Sequence, residues 1–164
     1  MKIYVTIILM LCCFTAVTHA QVAASSPKGN EFGTSLHGLG FSGGPASGAG
    51  ISYRFHPEGK TSVQGIVGIF KPKTTDTFYS FGLEVQQDLT RSTSARFFIG
   101  LGSSYEYYGS GSNKYLAPFR AGLGIGGEFL VQDALHFTLE GLFTYFSDGT
   151  ILPLPQMAFH YYFF

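Results

Sequence analysis

Three histidines of the sequence have side chains that could ligate a metal ion. His37, His136 and His160 each fall in a segment in which apolar and polar residues alternate. These segments are the first, seventh and eighth of eight, so they become neighbours if the sheet closes on itself. Together with Glu140, the imidazoles form a donor set that suits zinc or another transition metal. The alternative is a hydrogen-bonded polar network, and it is the prediction we adopt: no metal or cofactor is expected.

Arginines and glutamates share the polar positions of these segments. They are Arg54, Arg96, Arg120, Glu84, Glu106, Glu128 and Glu140. Every lysine after residue 20 falls instead in a predicted turn, loop or lead-in. Because a guanidinium pairs bidentately with carboxylates and is less hydrated than an ammonium group, this distribution predicts enclosed ion pairs. We expect Arg120 to lie within reach of at least one of the acids. A packed structural network is predicted, with a transport pathway as the alternative.

Nucleotide binding and nucleic-acid binding are not indicated. The stretch Gly122–Gly127 contains a G-x-G spacing, but it lies inside a predicted strand with no following helix, so we reject a dinucleotide-binding motif. The formal net charge is zero, which gives no basic surface for nucleic acid.

Eight segments of two-residue alternation must position the polar side chains. In the clearest, 117–132, odd positions are apolar apart from one glycine, while even positions carry glycines and charges. This period is that of a β-strand, and the segment exceeds the about 9–11 residues that cross a membrane. The segment near Gly38 departs from the pattern, which predicts a bulge. The eight segments are 32–41, 47–55, 61–70, 78–89, 95–108, 117–132, 134–146 and 156–164.

The connections alternate between short and long, which predicts two different ends of a barrel. Short turns at 56–60, 90–94 and 132–133 share one end, and longer loops at 42–47, 71–76, 109–114 and 147–155 share the other. Aromatic residues flank both ends, as in the girdles at membrane interfaces. The long-loop girdle would contain Tyr79, Tyr105, Tyr107 and Tyr145. The short-turn girdle would contain Phe55, Phe97, Phe129 and Phe163.

The N-terminus predicts secretion. Lys2 precedes an apolar core at 3–14, and small residues end at Ala20, so we predict a signal peptide over 1–20. Its removal would take away both cysteines, Cys12 and Cys13. A flexible periplasmic lead-in is predicted at 21–31, followed by the barrel domain at 32–164.

The apolar face is predicted to contact lipid. Charged residues make up 12% of the chain, against about 25% in a typical soluble domain. The opposite face is rich in glycine, which relieves crowding inside a narrow barrel. The sequence therefore predicts an all-β protein: an eight-stranded antiparallel up-and-down transmembrane β-barrel whose lumen is filled by side chains.

The final segment carries a family resemblance. It ends in MAFHYYFF, and with the signal peptide and eight amphipathic strands the chain resembles the small outer-membrane β-barrels of the OmpA/OmpX type. Predicted cleavage before Gln21 resembles Bacteroidetes-type members. The resemblance implies location in the bacterial outer membrane, contact with its lipid, and recognition of Phe164 by the barrel assembly machinery. It also implies a structural or surface-interaction role.

Two alternative functions are considered. The stretch 145–149 resembles the His-x-Ser region of outer-membrane lipid A deacylases, but Tyr145 stands where the general base should be. Ser147 then has no group to take its proton, so we predict a turn there and no catalysis. The second alternative is a secreted lipocalin-like carrier, which would bury the aromatic face and expose the polar one to water.

Overall fold

The computed structural model describes residues 35–73, 76–110, 113–114, 117–132 and 134–163. The predicted signal peptide, the lead-in at 21–31 and Phe164 lie outside these ranges. Nine strands are present, eight long and one of two residues. They are β1 (Leu36–Gly44), β2 (Gly48–His56), β3 (Thr61–Lys73), β4 (Asp76–Arg91), β5 (Ala95–Ser110), β6 (Asn113–Lys114), β7 (Phe119–Gln132), β8 (Leu135–Phe146) and β9 (Ile151–Phe163).

The eight long strands form a closed antiparallel barrel. The sheet order is β4-β3-β2-β1-β9-β8-β7-β5, and β4 also pairs with β5, which closes the ring. The short strand β6 adds only to the end of β5. Closure gives each long strand two hydrogen-bonded neighbours, the arrangement that allows a sheet to lie in hydrocarbon. The predicted fold class is confirmed. The described residues include no helix long and apolar enough to cross a membrane.

The barrel is apolar outside and polar inside. Leu123, on the outer face of β7, is 56% exposed, whereas Arg54, on the inner face of β2, is fully buried. The same alternation holds along the other long strands, because successive side chains of a strand point to opposite faces. The lumen is therefore the polar core of the protein, and its exterior is an apolar belt.

The strand registers correct one prediction. β1 pairs with β2 and β9 without any register shift, so the bulge expected near Gly38 is wrong. After Leu36 its inner positions are glycine and serine, and these made the alternation look irregular. Register shifts occur instead between Asp88 and Thr90 in β4 and between Leu130 and Gln132 in β7, both beside short turns.

The last strand begins earlier than predicted. Residues 151–155 were expected in the connection 147–155, but β9 starts at Ile151. The stretch contains leucine on the inward face and isoleucine and proline on the outward face, so it has no polar–apolar alternation to reveal a strand. The inner face of β9 is apolar over this stretch, and that is why the pattern is lost.

Candidate functional site

The short-turn half of the lumen contains a cluster of buried ion pairs. Arg96 and Glu128 are cross-strand partners on β5 and β7, and Arg54 reaches Glu128 from β2. Arg54 Nη1 lies 2.7 Å from Glu128 Oε2, and Arg96 Nε donates to the same oxygen at 2.7 Å. Arg96 Nη1 also lies 2.7 Å from Asp88 Oδ1. Two guanidinium groups and two carboxylates thus compensate one another away from water.

Neutral side chains complete this inner cluster. Gln64 Oε1 accepts a hydrogen bond from Arg54 Nε at 2.7 Å. The Tyr162 hydroxyl lies 3.0 Å from His56 Nε2 and 3.4 Å from Arg54 Nη1. The guanidinium of Arg96 lies 4.5 Å from the ring centroid of Phe98, which occupies the space left by neighbouring glycines. These side chains therefore contact one another across the lumen at this level.

Two carboxylates meet at the middle of the lumen. Glu84 and Glu140 are linked by Gln156, whose Nε2 donates to Glu84 Oε2 at 2.7 Å and to Glu140 Oε2 at 3.0 Å. Gln86 Nε2 donates to Glu84 and also, at 3.3 Å, to Glu140 Oε1. Ser47 Oγ donates to Glu84 as well. These contacts to the two carboxylates come from amide and hydroxyl groups.

Ser47 reaches Glu84 because the turn between β1 and β2 is folded into the barrel. This turn, Pro45–Ser47, is named here the plug turn. It was predicted as part of an outer loop at 42–47. The connection is present, but 42–44 belong to β1, and the predicted outer position is wrong because Ala46 and Ser47 are fully buried. Ser104 Oγ donates to the carbonyl of Pro45 at 3.2 Å, and Gln156 Nε2 donates to Ser47 Oγ at 3.1 Å.

Glycines on three facing strands make room for the plug turn. A Cβ on Gly82 would lie 1.7 Å from the carbonyl oxygen of Ser47, and one on Gly102 would lie 2.2 Å from Ser47 Oγ. A Cβ on Gly122 would lie 2.5 Å from the Cβ of Ala46. The expected role of inward glycines, relief of crowding, is confirmed. What they accommodate is a segment of backbone that the sequence pattern did not reveal.

The predicted ion pair of Arg120 is present in the long-loop half. Arg120 Nη1 lies 2.6 Å from Glu106 Oε2, and both side chains are almost fully buried. The guanidinium also lies 5.1 Å from the ring centroid of Phe146. The prediction that Arg120 faces inwards and contacts an acid is confirmed, and Glu106 is the partner.

The three candidate metal-ligating histidines do not come together. His136 and His160 face the lumen as cross-strand partners on β8 and β9. His37 lies on the outer face, where its Nδ1 is 2.6 Å from the Tyr53 hydroxyl and its ring stacks on Phe55. Grouping His37 with the other two was therefore wrong, because closing the barrel makes strands neighbours without turning every side chain inwards. No group of three potential metal ligands occurs in the described residues.

Aromatic rings cluster at both ends of the outer face. The rings of Tyr79 and Tyr107 lie 6.1 Å apart near the long loops, and those of Phe97 and Phe129 lie 5.9 Å apart near the short turns. His37 joins the short-turn end, where it contacts Phe55 and Phe163. The positions fit the two predicted girdles.

Ser147 lies in a turn, as predicted. The backbone N–H of Phe146 donates to the carbonyl of Thr150 at 2.8 Å, and Gly149 has a φ of 93°. The backbone N–H of Thr150 donates to Asp148 Oδ1 at 2.9 Å and lowers the pKa of that exposed carboxyl. Ser147 is exposed beside this turn, and the nearby acid is committed to the turn's own backbone.

Several residues of the lumen were missed from the sequence. Phe98 and Tyr162 are inward but aromatic, so they did not stand out on a face defined by polarity. Ser47 lay in an assumed loop. The spacing of inward glycines on adjacent strands was the available signal for a segment inside the barrel.

Comparisons with known proteins find two solved structures of limited similarity. No family model and no curated protein match the chain. Among solved structures, the Yersinia pestis outer membrane protein Ail is 12% identical with a TM-score of 0.46, covering 80% of this chain and 99% of that one. Neisserial surface protein A is 15% identical with a TM-score of 0.37, covering 78% and 91%. These values are too low to carry a functional argument.

Proposed function

We propose that this protein is an integral β-barrel of the bacterial outer membrane, with a side-chain-filled lumen and a structural or surface-interaction role without catalysis. The observation that carries the proposal is the inverted distribution of polarity. Large apolar side chains cover the outer face, while arginines, glutamates and histidines are buried inside. In water such an exterior would be a large exposed apolar surface, but in a bilayer it meets hydrocarbon.

The orientation of the barrel is part of the proposal. Outer-membrane barrels have short periplasmic turns and longer external loops, which would direct the 147–150 turn outwards and both termini to the periplasm. The tyrosine and phenylalanine girdles support two interfaces at the barrel ends. Partners would be outer-membrane lipid and, through the C-terminal strand, the barrel assembly machinery. Secretion through the predicted signal peptide at 1–20 belongs to the same proposal.

Both alternatives fit the geometry less well. A lipocalin-like carrier would place the aromatic face inside, but here that face is outside. A lipid A deacylase-like enzyme would need a base beside Ser147, and Tyr145 points to the outer face. We therefore infer that the protein acts through its lipid belt and outer surface.

Cell fractionation tests the membrane assignment. The proposal expects the protein in the detergent-extractable outer-membrane fraction, with a heat-dependent change of mobility on electrophoresis that reports the folded barrel. Release as a soluble periplasmic protein would support the carrier and contradict the proposal.

A further inference from the structure

The barrel wall has a gap in its long-loop half. β1 pairs with β9 only as far as Met157, and β2 pairs with β3 only as far as Val67. Beyond these points β9 runs on to Ile151 and β3 to Lys73, beside a hairpin whose turn bends into the lumen. Within the described chain, residues 151–156 thus have no strand partner on the side of β1.

Two prolines occupy the β9 edge of this gap. The N–H of Tyr162 donates to the carbonyl of Ala134 on the β8 side. Since alternate residues of an antiparallel strand direct their N–H groups to opposite sides, odd-numbered positions of β9 face β1. Pro153 and Pro155 are the first two odd positions beyond the end of β1, and proline has no N–H. The prolines therefore remove two of the three N–H donors at odd positions of this edge, leaving that of Ile151. Such donors would stay unpaired in hydrocarbon and would be required by an added strand.

The β9 side of the gap lies at the depth of the apolar belt, while Phe70 on the β3 side lies beside the tyrosine girdle, since the preceding Ile69 pairs with Tyr79. Pro153 pairs with Phe143, whose side chain is 67% exposed on the outer face, and Ile151 pairs with Tyr145 of the tyrosine girdle. An opening at this level meets the hydrocarbon layer rather than water if the girdle marks the interface.

The inward side chains that border the gap on β3 and β9 are apolar and accessible. Leu152 and Phe70 occupy inward positions of β9 and β3, yet they are 45% and 51% exposed. Leu154 is half-buried on the same face, and the rings of Phe70 and Phe78 lie 5.9 Å apart. The plug turn, with Ala46 fully buried, lies beneath them. We name the space lined by these four side chains the outer chamber.

We propose that the outer chamber binds an acyl chain of a lipid in the surrounding leaflet, which enters through the gap between β9 and β3. This inference rests on the proposed membrane function. The occupant is hydrocarbon because the four named side chains offer neither charge nor hydrogen bonds, and because the charged pair of this half, Arg120 with Glu106, is compensated within itself. The prolines also disfavour a peptide strand at this edge. A chain seated there would also shield inward apolar side chains that the barrel itself leaves uncovered.

Tryptophan reporters test the proposal, since the sequence contains no tryptophan. Phe78→Trp and Leu152→Trp place reporters in the outer chamber. Phe143→Trp places one on the lipid-facing exterior, and Phe98→Trp places one in the inner cluster, with Ile66→Trp as its replacement if that variant does not fold. Each folded protein is reconstituted in phospholipid brominated along its acyl chains and in unbrominated phospholipid, and the loss of fluorescence is measured.

The expected result is a loss in both chamber variants close to that of Phe143→Trp and well above that of the inner-cluster control. A loss no greater than that control, with Phe143→Trp strongly quenched, overturns acyl-chain binding and leaves the membrane assignment intact. An unquenched Phe143→Trp contradicts the membrane assignment and the inference with it.

Two further outcomes would assign the chamber to another occupant. In the first, brominated phospholipid leaves the chamber reporters unquenched, but free brominated fatty acid added to unbrominated bilayers quenches them. This result overturns entry from the bilayer in favour of binding a free fatty acid. In the second, the chamber reporters are unquenched and the protein cross-links as a dimer. This result overturns acyl-chain binding in favour of a second copy of the chain at this edge.

Discussion

At the scale of single residues, arginines and acids of the inner face form buried ion pairs. Arginine without lysine on the inner face was sufficient to predict enclosed ion pairs, and Arg120 with Glu106 confirms it. The partner of Arg54 could not be predicted, because Glu128 lies 74 positions away and is reached across the lumen. Alternation gives the face on which a side chain lies, but not the direction in which a long side chain extends.

Glu128 is expected to be the most sensitive acid of the inner cluster. Glu128→Gln removes the charge shared by Arg54 and Arg96 while keeping the side-chain volume, and both guanidinium groups stay buried. Breaking a buried pair costs about 3–5 kcal/mol, and urea unfolding of the folded barrel in detergent measures it. Glu58→Gln, in the exposed turn after β2, is the matched control and should change the unfolding free energy little. Equal effects of the two substitutions would show that the cluster does not stabilise the barrel.

At the scale of strands, the sequence predicts elements well where the two faces differ and poorly where they do not. Polar and apolar residues alternate clearly in β4, β5, β7 and β8, and the central residues of these strands were predicted correctly. The start of β9 was missed because residues 151–155 are apolar on both faces. The plug turn was missed because Pro45–Ser47 looks like any small, polar loop. Its burial depends on contacts with β4, β5 and β7, which no local pattern contains.

Because of the plug turn, we expect alanine substitutions at different strand glycines to change the unfolding free energy by different amounts. In Gly82→Ala the new Cβ would meet the Ser47 carbonyl, so the backbone of the plug turn has to move. Overpacking of this kind costs about 1–3 kcal/mol. Gly65→Ala on the neighbouring strand is the matched control, because its Cβ would point outwards with no atom within 4 Å. Unfolding free energies in detergent distinguish them, and a Gly82→Ala protein as stable as Gly65→Ala would mean that the turn is not packed against β4.

At the scale of the whole molecule, the inside-out polarity predicts which substitutions block insertion. Leu123→Arg and Leu139→Arg each place a charge on the outer face, where both leucines are exposed. An arginine near the bilayer midplane of a barrel costs about 2–4 kcal/mol. We expect both variants to yield less of the heat-modifiable folded form in lipid vesicles. Asp148→Arg, in the exposed turn after β8, is the control and should insert normally. Normal insertion of both leucine variants would reverse the assignment of faces.

The proposed side-chain-filled lumen predicts that the barrel does not conduct like a porin. An eight-stranded barrel has an interior just wide enough for side chains, and here the inner cluster and the plug turn occupy successive levels of it. The lateral gap lies on the long-loop side of the plug turn, so it gives no route through the inner cluster. Purified protein in planar bilayers should therefore show no stable channels of porin size, measured beside a known porin as the positive control. Reproducible conductance of that size would contradict a filled lumen. A continuous pore through eight strands would require the plug turn to leave the lumen and the contacts of Arg54 and Arg96 with Glu128 to break.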